Sequence, residues 1–179
     1  MSDEQDAALV RDCLAGSTRA FEELLARYQR PVYNAAFRIL NNREDAKDVT
    51  QAVFLSAYEH LAQFDASQRF FSWIYRIAAN KTLDSAAARK PLEPLSEGLV
   101  EAGPGPREVA MRGQLDAGLQ DALMALKLEY RTVIVLKHVQ GCSYEEIGMI
   151  LECPVKTVKS RLHTARVALR DVLVARGLV

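Results

Sequence analysis

Ser143–Arg170, SYEEIGMILECPVKTVKSRLHTARVALR, is the stretch that decides how the rest of the chain is read. It divides into two short helices and a tight turn. Ser143 is a good N-cap, and Glu146 three positions later completes a capping-box pattern. Ile147, Ile150 and Leu151 then share an apolar face. Glu152-Cys153-Pro154 ends this helix, because proline cannot continue a helix but suits the first turn of the next. Beyond it, Val155, Val158, Leu162, Ala165, Leu169 and Val172 recur at three- and four-residue steps, the spacing of a buried helical stripe.

Opposite that stripe lie Lys156, Lys159, Ser160, His163, Arg166 and Arg170, with Thr157 and Arg161 on the flank. No acid interrupts this face between Glu152 and Asp171. A helix, a turn and a second helix with a basic outer face form the helix-turn-helix arrangement, whose second helix fits the major groove of DNA. Lysine and arginine neutralise phosphates, while Ser, Thr, Lys and Arg also reach base edges. On periodicity alone, an ordinary surface helix with a solvated basic side is the weaker competing reading. The capping box, the turn and the unbroken basic face together favour DNA.

A chain of 179 residues, 49% hydrophobic and 26% charged, has the balance of a soluble protein of one or two small domains. No apolar run approaches the roughly 18 residues of a membrane span. The start, MSDEQDAALVRD, is acidic and polar, unlike a secretory signal, so cytoplasmic residence is expected. Cys13, Cys142 and Cys153 show neither CxxC nor Cys/His spacing, so they indicate no disulfide framework and no zinc site. Nothing calls for a cofactor, and His60, His138 and His163 are isolated from any nucleophile or ligand motif. The formal net charge is zero, but 69–90 carries Arg69, Arg76, Lys81, Arg89 and Lys90 against Asp84 alone. Cations are thus concentrated in two separated helices, and a local patch suffices for attraction to DNA.

Taken in order, the pattern predicts helices throughout and no strand-rich region. A short helix over 3–15 ends at Gly16; Ser17 caps a longer one to Leu40, with Pro31 interrupting and kinking it. Asn41-Asn42 makes a turn into a helix ending near Ala62. Its Ala46, Val49, Val53 and Ala57 form one face, and Asp48, Gln51, Leu55 and Tyr58 another, with Phe54 at the edge. A fourth helix spans 69–88 after the loop 63–68. There Phe70, Ile74 and Ile77 suit a core, while Arg69, Trp73, Arg76 and Asn80 share a different side. Interleaved aromatic and cationic groups can hold phosphates and stack unpaired bases. Completion of the core by Trp73 and Tyr75 is an equally good reading.

KPLEPLSEGLVEAGPGPREVAM (90–111) holds four prolines and three glycines within 91–106, which argues for an acidic, flexible linker. Helices over 109–126 and 129–139 follow. The expected fold is therefore all-α, with a helical bundle over 1–90, a linker over 91–110 and a helix-turn-helix domain over 111–179.

Three stretches also resemble one family. YRTVIVLKHVQGCSYEEIGMILECPVKTVKSRLHTARVAL (130–169) resembles region 4, the promoter-reading domain of bacterial extracytoplasmic-function (ECF) sigma factors. FFSWIYRIAANKTLDSAAARK (70–90) resembles the FxxWLYRIAxNxxxDxxRR signature of region 2, and NREDAKDVTQAVFLSAYEHLAQF (42–64) the stretch before it. The resemblance implies an alternative sigma factor that binds core RNA polymerase through the largest-subunit coiled coil and the flap, recognises promoter DNA, and answers to an anti-sigma factor, which if membrane-anchored would hold it at the inner membrane face. It places Asp45, Asp48, Gln51 and Phe54 at the polymerase-docking position. Phe64, Gln68, Arg69, Phe71, Trp73, Arg76, Asn80 and Lys81 fall where the −10 element is opened and a base captured. Lys156, Thr157, Lys159, Ser160, Arg161, His163 and Arg166 fall on the helix that reads the −35 element. No catalytic residue and no metal ligand is implied.

Departures from the pattern are local. Ala52 and Lys47 replace acidic residues on the docking face, and Asp65–Phe71, DASQRFF, lacks the glycine of the common loop. The competing reading is a LuxR-like helix-turn-helix regulator, which would need an N-terminal sensing domain with alternating strands and helices. The first ninety residues lack that alternation. A helical enzyme lacks a site motif, and an RNA-binding module would rest on the Trp73 surface alone.

Overall fold

The computed structural model describes residues 3–65, 67–88 and 116–178. All regular structure among them is helical. The N-terminal half contains α1 (Asp3–Leu14), α2 (Thr18–Leu40), α3 (Arg43–His60) with a 3-10 turn over Leu61–Gln63, and α4 (Phe70–Ala88). The C-terminal half contains α5 over 116–124, α6 (Leu128–Ile134) running into a π turn over Val135–Val139, α7 (Tyr144–Ile150) and α8 (Val155–Ala175). The expected linker, 91–110, lies outside the described residues.

Local chemistry sets the boundaries. Ser17 Oγ accepts from Ala20 N at 3.3 Å and starts α2. Asn41, in the left-handed conformation at φ 52°, ends it, and its N–H donates to the Phe37 carbonyl. Asn42 Oδ1 then accepts from Glu44 N and Asp45 N at 2.9 and 3.1 Å, capping α3. Contrary to expectation, Pro31 does not interrupt α2, which is continuous from Thr18 to Leu40. One missing N–H is tolerated where Tyr28, Val32, Ala35 and Ala36 are all buried around it.

α2, α3 and α4 pack as a bundle around Leu24, Tyr28, Val32, Val53, Ile74 and Tyr75. α1 lies against α2 and is fastened by Asp6. This carboxylate is 2% exposed, 2.9 Å from Arg27 Nη1, and accepts from the Tyr28 hydroxyl. Burial first, and then Asp6, push the Tyr28 hydroxyl far above the usual phenol range, so it remains a donor.

In the second half, Val133, Val135, Ile147, Ile150, Val158, Leu162 and Ala165 are inside. The expected α-helix over 129–139 loosens into the π turn, where Gln140 N donates to Val135 O at 3.1 Å. The halves do not sit apart. α4 packs against α7, the end of α2 meets α6, and one continuous apolar core joins them.

Candidate nucleic-acid interface

α7 and α8 form the helix-turn-helix from local interactions. Ser143 Oγ accepts from Glu146 N at 3.1 Å, and Glu146 Oε2 accepts from Ser143 N at 2.7 Å, the reciprocal capping box. The turn is tight because Glu152 adopts φ 49° and Cys153 N donates to Gly148 O at 3.0 Å. Gly148 makes this possible: a Cβ there would lie 3.0 Å from the Cys153 carbonyl oxygen. Pro154 caps α8, its carbonyl accepting from Thr157 N and Val158 N.

The outer face of α8 presents Lys156, Lys159, Ser160, His163 and Arg166 to solvent, with Thr157 and Arg161 half-buried. Val158, Leu162 and Ala165 anchor the opposite side. Arg161 is turned toward α6, with its Nε 3.3 Å from Glu129 Oε2. Lys159 Nζ stands 5.8 Å from the centre of the Tyr144 ring and Lys137 Nζ 5.0 Å, a shared aromatic support for two cations. Arg166 Nε donates to His138 Nε2 at 3.4 Å. Partial burial, with Arg166 and Lys137 adding to it, lowers the pKa of His138 and so favours the neutral ring as acceptor.

On α4 the arrangement differs from the exposed aromatic surface that the spacing allows. Trp73 is 6% exposed, with ring centroids 5.3 Å from Phe64 and 5.6 Å from Phe70. It is a core residue, because its turn of the helix faces the apolar floor of the 63–70 loop. Tyr75 is likewise buried, and Phe71, half-buried, lies 4.5 Å from its ring. Phe64 is half-buried, whereas Gln68, Asn80 and Lys81 are exposed. Arg69 bonds Asp3 at 2.8 Å and Glu146, and Arg76 Nη1 lies 3.8 Å from Glu152. Asp65 Oδ1 accepts from Ser67 N at 2.9 Å, which shapes the loop and holds that carboxyl below its ordinary pKa.

α3 offers a third surface. Asp48 and Gln51 are exposed and Asp45 is half-buried. Phe54, at 6% exposure, belongs to the core, since it follows Val53 on the inward side of the helix. Beside Asp48 and Gln51 stand Leu55 and Tyr58, 61% and 59% exposed. They share the polar face in the sequence pattern, yet only the packed structure shows how much apolar area they present. Among the described residues, no group of His, Cys, Asp and Glu is placed to hold a metal ion. Burial pushes the Cys142 thiol up to about 12, which makes it a poor nucleophile.

Fold and site together define a DNA-binding, two-part helical protein. Comparison with known proteins specifies which. The profile of Sigma-70 region 2 matches residues 24–91, and that of Sigma-70, region 4 matches 117–169. The ECF RNA polymerase sigma factor SigW of Bacillus subtilis (strain 168) is 36% identical over 176 residues, covering 92% of this chain and 94% of the relative. The RNA polymerase sigma-H factor of Pseudomonas aeruginosa is 31% identical, covering 97% and 96%. Among solved structures, CnrH in complex with the cytosolic domain of CnrY superposes with a TM-score of 0.76 at 28% identity, covering 96% of this chain and 98% of that one. Sigma factor RpoE in complex with the anti-sigma factor NepR from Bartonella quintana shares the fold, with a TM-score of 0.72 at 21% identity, covering 87% and 98%. The chain belongs to the ECF sigma factors of the sigma-70 family. A LuxR-like regulator is not supported.

Proposed function

We propose that this chain binds core RNA polymerase in the cytoplasm, carries it to a two-part promoter and helps open the DNA, with the chemistry left to the polymerase. The observation that carries this reading is the pairing, in one chain, of an open cationic recognition helix with an N-terminal bundle of the region 2 family. In this reading Lys156, Thr157, Lys159, Ser160, Arg161, His163 and Arg166 contact the upstream element from α8. Arg69, Arg76, Asn80, Lys81, Gln68 and Phe71 engage the downstream element, with Phe64 and Trp73 building the floor beneath them. Asp45, Asp48 and Gln51, joined by Leu55 and Tyr58, dock on the polymerase, while Phe54 supports that face from within. The domains are the bundle (1–90), the connecting segment (91–110) and the helix-turn-helix half (111–179).

An anti-sigma factor is the expected regulator, as in the complex of RpoE with the anti-sigma factor NepR. A membrane-anchored one would hold the chain at the inner membrane face. Among the described residues no helix is long and apolar enough to cross a membrane.

The docking face gives the first test. Leu55→Glu with Tyr58→Glu removes exposed apolar area and adds like charge beside Asp48, so affinity for core polymerase should fall by roughly tenfold or more while circular dichroism shows the helical fold retained, Tyr58 giving up only its edge contact with Phe21. Undiminished co-elution on gel filtration would remove this face from the interface. On α8, Lys159→Ala should weaken the upstream element by about 1–3 kcal/mol if a base edge is read. An unaltered promoter footprint would take Lys159 out of that role.

A further inference from the structure

Arg166 stands seven positions beyond Lys159, two turns along the same exposed face of α8. Arg161 pairs with Glu129, but Arg166 has no carboxylate partner among the described residues. Its Nε is instead taken by His138, from the π turn over Val135–Val139. That wide turn sends its two polar side chains different ways. Lys137 Nζ donates back to the Cys142 carbonyl at 2.9 Å, while His138 reaches α8. A guanidinium carries five N–H groups in one plane. With Nε held, those on Nη1 and Nη2 remain for an incoming phosphate.

We propose that His138 is a positioning residue for the upstream-element contact: its neutral ring fixes the Arg166 side chain with the Nη edge free for a DNA phosphate. The inference rests on the reading of α8 as the helix that meets that element. An unheld arginine loses rotamer freedom when it binds, and one already fixed loses less. Phosphate contacts also set the register in which neighbouring side chains reach base edges, so a loose Arg166 lowers discrimination as well as affinity. The bond requires the proton on Nδ1 and the Nε2 lone pair toward Arg166. Protonation abolishes the acceptor and sets a third cation beside Arg166 and Lys137, the charged groups that face the ring among the described residues. Arg166 is then released, while the added charge raises attraction to any duplex. Acid therefore weakens discrimination more than binding itself. The change develops below the ordinary histidine range, because burial and these two cations hold the ring's pKa down.

The test uses the full chain assembled with core polymerase. One probe is a duplex enriched from a randomised pool by the wild-type holoenzyme at about pH 8, where histidine is neutral. The other is the unselected pool, and the ratio of the two affinities measures discrimination. His138 is exposed, so its replacement spares the core. His138→Leu removes the acceptor and should lower the ratio roughly three- to tenfold, as expected for the freedom of one long side chain. His138→Gln offers Oε1 in place of Nε2 and does not titrate, so it should match the wild type at that pH. On acidification to about pH 5.5 the wild-type ratio should fall further than that of His138→Gln. Any dependence from His163 is common to both chains and cancels in the comparison. NMR of the histidine rings in the free chain should show His138 as the Nδ1–H tautomer, with its pKa rising in Arg166→Gln.

Full discrimination in His138→Leu, or an equal loss on acidification in His138→Gln and the wild type, would overturn the positioning role. Lys159→Ala separates that role from the reading beneath it. If Lys159→Ala lowers the ratio and His138→Leu does not, α8 reads the element without this support. If neither lowers it, the assignment of α8 fails as well.

Discussion

Replacing Arg131 with Leu is expected to lower the unfolding free energy by about 3–5 kcal/mol. Arg131 is 8% exposed, and its hydrogen bonds go to main-chain carbonyls: Nε to Leu123 at 2.9 Å, Nη2 to Met124 and Leu126 at 3.0 Å each, and Nη1 to Ile39. Leu123, Met124 and Leu126 lie at and just after the end of α5, and Ile39 lies in the last turn of α2. Carbonyls there have no helical partner and carry the negative end of the helix dipole. Burial lowers the guanidinium pKa, yet arginine stays charged in a protein, and these oxygens hold the cation. Leucine would take this donor from the carbonyls of Ile39, Met124 and Leu126, each a substantial penalty, while that of Leu123 keeps Leu126 N at 3.1 Å. Arg131→Lys should fall between, because an ammonium offers three donors from one point instead of a planar fork. Urea unfolding followed by circular dichroism measures this. A loss under about 1 kcal/mol in the leucine variant would mean that the fork does not hold the two halves as described.

Trp73→Ala should cost about 3–5 kcal/mol, because it opens a cavity among Phe64, Phe70 and the bundle core. An assay of promoter opening on that variant would therefore report lost fold before lost stacking. Trp73→Phe keeps the apolar volume more nearly intact and should retain most of the stability. If Trp73 acts only as floor, permanganate reactivity of unpaired thymines in the holoenzyme should survive in the phenylalanine variant. A melting temperature unchanged in Trp73→Ala would contradict the buried placement.

The two residues show where sequence reading succeeds and where it stops. Helix positions are governed by local rules, so Ser17, Asn42 and the Ser143–Glu146 box marked true starts, and Pro154 a true boundary. The basic face of α8 was legible because its period and charge run are both properties of a single helix. Pro31 misled because a propensity was set against burial on both sides, and burial prevailed. Trp73 and Phe54 were ambiguous for a related reason: a residue at the edge of a helical stripe turns inward or outward according to what a distant loop offers it. Arg131 and Gln140 gave no signal at all. Arg131 reaches the Ile39 carbonyl 92 positions away and Gln140 the Pro31 carbonyl 109 positions away, and no spacing rule encodes such contacts. The same holds for Arg69 and Arg76, legible as cations but not as cations already paired with the other half.

The central claim is tested most directly by adding the purified chain to core polymerase that lacks any other sigma factor and mapping the starts of transcripts made from fragmented genomic DNA. Transcripts should begin at a small set of positions that share two spaced upstream elements, and they should vanish when the chain is omitted. Initiation at fragment ends alone, or at the same positions with and without the chain, would contradict it.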